Sequence, residues 1–300
     1  MNKIIVRATM IVSVITAVLM INACKKSSSS NGGTPADNNG AASLSANGAS
    51  TDNAFDDVLN VSIQTNQDHS LNSFIEHQNG TITNGAGTTQ PLGFFYCANV
   101  TVTPADTTTY PKTIVVDFGT GCSSADNITR SGSITYTLSE RFRNPGAIIS
   151  ATFSNYKVNG YQLGGTYTLT NQTSLSGVAY TSSVSNGSIV YPNDSSYTFS
   201  GTKTVTQTAG IGSTDLSTYV FSVTGNYTIS NTNNGASLSA KVTTPLVKQE
   251  TCPNIVSGIE SFTYKKGSAS LSGTLDFGGG TCDALATVTI GAFTSSVTLH

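Results

Sequence analysis

From Leu92 to His300 the apolar residues of this chain recur at every second position, and that period restricts the fold more than any other feature. Ile134, Tyr136, Leu138 and Phe142 point one way, against Thr135, Thr137 and Ser139. Tyr219, Phe221, Val223, Tyr227 and Ile229 repeat the arrangement, as do Ala269, Leu271, Leu275 and Phe277. Such alternation marks antiparallel strands with one buried and one wet face. Turn signals separate them: Asn144-Pro145-Gly146, Asn159-Gly160, Asn186-Gly187, Pro192-Asn193-Asp194, Asn233-Asn234-Gly235 and Lys266-Gly267. The spacing predicts about ten to twelve strands. The connections are short and no crossover helix interrupts them, which excludes a parallel sheet. The predicted fold is all-β: an extended antiparallel meander over 92–300, forming a partly open barrel or a sandwich, with a short N-terminal helical segment.

That helical segment falls in 51–91. Ala54 to Leu59 follow Thr51 and Asp52, either of which is a plausible N-cap, and Phe55, Val58 and Leu59 share a face. Leu71, Phe74 and Ile75 are spaced likewise between His69 and Glu76. Phe55, Leu59 and Phe74 are expected to help cover the apolar face of the sheet. Residues 24–50 read as a flexible tether, since Ser27 to Ser30 and Asn31-Gly32-Gly33 offer nothing apolar to bury.

Residues 1–23 read as a signal peptide. Lys3 and Arg7 precede an apolar run from Ala8 to Ile21, too short for an ordinary span, ending in Ile21-Asn22-Ala23-Cys24. A cysteine directly after small Ala23 resembles a bacterial lipobox. The resemblance implies acylation of Cys24, a palmitate-type anchor in membrane lipid and an extracytoplasmic mature chain. Lys25 stands where an Asp would imply retention in the inner membrane, so the resemblance points to the outer membrane. Lys25-Lys26 in place of an acidic patch leaves both the periplasmic and the surface-facing placement open.

Removing Lys3 and Arg7 with the leader moves the formal charge from -2 to -4, and only 10% of residues are charged. No Lys/Arg cluster is available to meet phosphates, which sets nucleic-acid binding aside. Four cysteines remain: Cys97, Cys122, Cys252 and Cys282. An even count in an exported chain reads as disulfides, and Cys97–Cys122 with Cys252–Cys282 is the favoured pairing, because each pair brackets a similar piece of sequence. The alternative, a four-cysteine zinc site, lacks the usual close Cys-x-x-Cys spacing.

The two ends of the β region echo each other. Cys97-Ala98-Asn99-Val100 is followed by a strand running into Asp117-Phe118-Gly119-Thr120-Gly121-Cys122. Cys252-Pro253-Asn254-Ile255 is followed by one running into Asp276-Phe277-Gly278-Gly279-Gly280-Thr281-Cys282-Asp283. The repeat fits either two related halves or the first and last hairpins of one sheet. With Arg130-Ser131-Gly132, Asn155-Tyr156, Asn159-Gly160 and Thr243-Thr244-Pro245-Leu246, this echo resembles a family of uncharacterised lipoproteins common in the Bacteroidota. The resemblance covers nearly all of the chain after the tether. It implies architecture and an outer-membrane location, and no activity.

Catalytic signals are weak. Asp117-Phe118-Gly119 spells the kinase magnesium motif without any of its partners, and Gly278-Gly279-Gly280 lacks the Lys-Ser or Lys-Thr of a phosphate loop. Asp117, Asp126, Asp276 and Asp283 flank the two glycine turns and are calcium candidates, against the alternative that each caps turn amides. Glu140 and Glu260 are candidates for a glycosidase pair, against the favoured alternative of salt-bridged or rim carboxylates. His69, His77 and His300 are too scattered for a metal site, no nucleophile elbow occurs, and no cofactor motif is read. Tyr136, Tyr156, Tyr167 and Tyr227 are candidates for stacking on sugar rings if exposed. The functional expectation is a non-catalytic envelope lipoprotein binding glycan, lipid or protein. A structural or assembly component of the outer membrane is the alternative, and a hydrolase the third reading.

Overall fold

A computed structural model of the chain describes residues 34–68, 81–82, 98–104, 106, 108–124, 127–142 and 144–299. It contains a helix, α1 (Pro35–Asp68), and strands β1 (Thr81–Ile82), β2 (Asn99–Thr103), β3 (Lys112–Asp117), β4 (Cys122–Ser123) and β5 (Thr129–Leu138). There follow β6 (Ile148–Val158), β7 (Tyr161–Asn171), β8 (Ala179–Val190), β9 (Ser196–Ala209) and β10 (Val220–Asn231). The last are β11 (Ser237–Gln249), β12 (Ile255–Lys266), β13 (Ala269–Gly279), β14 (Leu285–Ile290) and β15 (Phe293–Thr298). All fifteen belong to one antiparallel sheet in which each strand neighbours the next in sequence; β3 and two-residue β4 share one edge of β5. Among the described residues the sheet does not close. The open all-β meander read from the alternation is therefore present as one sheet, not two halves, with more strands than the turn signals implied.

The sheet curls around α1, whose successive turns meet successive strands. Gly40 faces Tyr264 of β12, Gly48 faces Tyr227 of β10, and Asp52 pairs with Lys203 of β9. Phe55 packs between Phe199 of β9 and Phe153 of β6, at centroid distances of 5.6 and 6.1 Å. At the far end Tyr136 of β5 donates its hydroxyl to the Val58 carbonyl at 2.8 Å. The helix thus crosses the strands along the concave face and lends its own side chains to the core.

Two expectations are corrected here. The helix does not start at Thr51 or Asp52; residues 35–50, read as tether, are its first half, and Ala41, Ala42, Leu44, Ala46 and Ala49 are buried. The small side chains of this stretch let the helix backbone approach the sheet. Its start is fixed by a reciprocal cap: the Asp37 amide donates to Thr34 Oγ1 at 3.4 Å and the Thr34 amide to Asp37 Oδ2 at 3.2 Å. Asn186-Gly187, read as a turn, lies inside β8. Leu71, Phe74 and Ile75 lie outside the described residues.

Asn186 belongs to a crease. Register slips occur at Ser131/Ser133 in β5, Gly164/Thr166 in β7, Val184/Gly187 in β8, Val223/Asn226 in β10 and Ser257/Ile259 in β12. Near them Gly132, Asn155, Gly165, Asn186, Gly225 and Gly258 all have positive φ. Neighbouring bulges touch: a Cβ on Gly132 would stand 2.3 Å from the Asn155 carbonyl oxygen, and one on Gly165 2.5 Å from that of Asn186. A bulge bends its strand, and bulges on neighbouring strands bend the whole sheet. That crease lets one wide sheet wrap a helix.

Candidate functional site

The polar chemistry of the molecule is concentrated where α1 meets the sheet. Asp57 is buried and accepts a fork from Arg130, with Nε at 3.0 Å and Nη2 at 2.5 Å, while the Tyr156 hydroxyl donates to the same carboxylate at 2.5 Å. Arg130 also donates to Ser124 Oγ at 3.2 Å. Burial, and next the Asp57 charge, raise the Tyr156 and Tyr136 hydroxyls well above the ordinary tyrosine range. Both stay protonated and act as donors.

One helical turn away, Lys203 reaches Asp52 Oδ2 at 2.8 Å and Asp56 Oδ1 at 2.5 Å. Burial opposes the ammonium, but the two carboxylates overcome it and hold Lys203 well above the usual lysine value. Glu260 of β12 lies beside them, only 6% exposed, and accepts from the Tyr227 hydroxyl at 3.1 Å. Burial first, and Asp52 second, push Glu260 up to about 7. Asp52, Lys203, Tyr227 and Glu260 line a cavity of about 20 Å³ together with Asn226 and Thr202. Roughly 10–15 Å³ suffices for one water. The cluster is therefore a tightly filled ion and hydrogen-bond network with room for a single solvent molecule.

The residues proposed from sequence are dispersed. Glu140 follows the end of β5 and accepts from Asn144 Nδ2 at 2.8 Å, whereas Glu260 is engaged by Tyr227; the two have no common partner. Asp117 accepts from the Gly119 amide, Asp276 from Gly278 and Asp283 from Leu285, each at 2.9 Å. These carboxylates cap their own turns, and among the described residues no group of three or more His, Cys, Asp or Glu is placed to hold a metal. Asp126, His69, His77, His300 and Cys24 lie outside the described residues. The tyrosines named for sugar stacking are all inside the fold: Tyr136, Tyr156, Tyr167 and Tyr227 are buried, so that reading is withdrawn.

Cys252 and Cys282 are joined, with Cα atoms 5.7 Å apart, as the echo of the two ends suggested. Cys122 is likewise disulfide-bonded, and Cys97, its expected partner, lies outside the described residues. The two Asp-Phe-Gly turns match in three dimensions: Phe118 and Phe277 are both buried, and Gly119 and Gly278 both have positive φ. Beside the second turn, Asp276, Phe277, Gly278, Thr281 and Asp283 line a shallow depression of about 140 Å³.

Sequence reasoning missed Arg130 and Lys203 as core charges and named Glu260 only as half of a carboxylate pair, although a signal for all three existed. Arg130 shares the parity of Ile134 and Tyr136, Lys203 that of Tyr197 and Phe199, and Glu260 that of Val256 and Phe262. Each is a charge on the inward register of its strand. Comparison with protein-family models, with curated proteins and with solved structures finds no match for this chain.

Proposed function

We propose that this chain is a non-catalytic lipoprotein of the cell envelope, anchored in the outer membrane through acylated Cys24, that works by contact between its outer surface and other envelope proteins. The observation that carries this reading is α1 on the concave face. A curled sheet that carried a lipid would keep that face for its ligand, and here the chain's own Leu44, Phe55, Val58 and Val61 lie buried there. The sugar-stacking tyrosines are turned inward as well, which weighs against a glycan module. What is left to a partner is the wet face, rich in Ser and Thr, and the sheet edges. The leader, Ala23-Cys24 and the Bacteroidota-like motifs support the location.

The anchor is tested by palmitate labelling of wild type and Cys24→Ala. Labelling is expected in the first and lost in the second, with impaired leader processing; equal labelling would refute the anchor. Each buried CH₂ contributes about 0.8 kcal/mol, so more than one acyl chain makes release slow. A crosslinking pull-down from envelope, run beside a glycan array, tests the mode of action. A stoichiometric envelope protein with no sugar ligand is expected; reproducible sugar binding with no protein would overturn it.

A further inference from the structure

Among the described residues, the last strand, β15, pairs on one side only. It pairs with β14 over its whole length without a bulge. The Leu299 amide donates to the Ala284 carbonyl at 2.8 Å, which sets the phase of the ladder. Alternate residues of an antiparallel pair bond to the same neighbour. Phe293, Ser295 and Val297 therefore bond towards β14, and Thr294, Ser296 and Thr298 turn their N–H and C=O groups outward. Those three residues are exposed, and among the described residues no backbone partner takes these groups. Edge strands are ordinarily blunted by a lysine, a proline, a bulge or an inward charge. Phe293-Thr294-Ser295-Ser296-Val297-Thr298 has none of these.

We infer that β15 is a self-association site, at which two copies of this chain pair edge to edge about a two-fold axis through Ser296. An antiparallel register centred there sets Ser296 opposite its own copy and Thr294 opposite Thr298. All three outward residues on each strand then lie at hydrogen-bonding positions, giving each an N–H partner and a C=O partner. A shift of two residues in either direction pairs only two of the three with each other. The side chains match in the same register. Thr294 meets Thr298 on the outer face, and on the concave face Phe293 meets Leu299 and Ser295 meets Val297. Phe293 and Val297 are only half-buried in the single chain and pack against its core, so the pairing extends an apolar surface already present. A dyad-related contact of this kind closes on itself and yields a dimer, not a filament. The inference uses the edge alone and does not depend on the Cys24 anchor.

The test uses the full chain in detergent, by sedimentation velocity over a roughly hundredfold concentration range. Wild type is expected to show a monomer–dimer equilibrium. Ser296→Pro removes the central outward N–H and leaves the β14 ladder intact, because that N–H is not part of it. It should weaken the dimer at least about tenfold, which corresponds to about 1.4 kcal/mol, with an unchanged circular-dichroism spectrum. A second measurement fixes the register independently of that variant's folding. With a short bis-maleimide, Ser296→Cys should crosslink to itself, Thr294→Cys alone should not, and a mixture of Thr294→Cys with Thr298→Cys should. A wild type that stays monomeric throughout, a Ser296→Pro dimer as tight as wild type, or self-crosslinking by Thr294→Cys in place of Ser296→Cys would each overturn the proposal.

Discussion

Glu260 carries the clearest pH dependence in the molecule. Its carboxyl has an ordinary value of 4.5 and is pushed up to about 7 in the fold, chiefly by burial. The folded chain therefore binds this proton more tightly than the unfolded chain does. Stability from this group is fully present below 4.5 and is lost as pH rises through about 7. At 1.36 kcal/mol per unit the whole change is roughly 3–4 kcal/mol. Glu260→Gln keeps an oxygen for the Tyr227 hydroxyl and removes the titration. Thermal melts should find it more stable than wild type at pH 8 and nearly equal at pH 4, so that its melting temperature is flatter with pH. A variant that parallels wild type across that range would place the titrating group elsewhere. Glu260 was legible as an inward position from its parity with Phe262 and Tyr264, but its protonation was not. Asp52 and Lys203, which set its charge balance, lie 208 and 57 positions away in the chain.

Among the elements, α1 shows most plainly why part of the fold was hidden. Strands were readable because their period is two and their apolar residues are large. The first half of α1 is mostly Ala, Ser, Asn and Gly, whose low apolar content is also the composition of a linker. Only Thr34-Pro35-Ala36-Asp37, a capping signature with proline at the first helical position, marked its start. Glycine is worth about 1 kcal/mol less than alanine in a helix, so Gly40 and Gly48 need a reason. At Gly48 a Cβ would stand 2.4 Å from the Tyr227 ring, whereas at Gly40 it would meet only the Tyr264 hydroxyl, at 2.9 Å. The ring of Tyr227 is held by Glu260 and cannot swing away cheaply. Gly48→Ala is therefore expected to lose about 1–3 kcal/mol to overpacking, more than the helix gains. Gly40→Ala should lose less, since only the Tyr264 hydroxyl oxygen comes that close and the ring stands at ordinary contact distance. Denaturant unfolding of the two variants measures the difference, and equal effects would mean that the helix is not seated closely on β10.

In the whole molecule the sheet and helix make one unit. A chain lacking residues 34–50 loses Ala41, Leu44, Ala49 and the cap at Thr34, and would expose the β12 and β10 surfaces that Gly40 and Gly48 cover. It is expected to be expanded and to bind a hydrophobic dye, as poorly packed states do. A native-like, cooperatively melting product would instead restore the tether reading for that stretch. The wrapping of α1 has a further consequence for how the structure comes apart. Each strand bonds only to the strands beside it, which is the wiring of a repeat array, and such arrays fray in stages because distant units share no energy. Here the helix touches β6, β7 and β10 to β15, a span in which strands far apart in the sheet never meet each other directly. Loosening any of them costs contacts that the others share through α1. The meander should therefore melt in a single sharp transition, with α1 as the spine that turns a linear ladder into an all-or-none body.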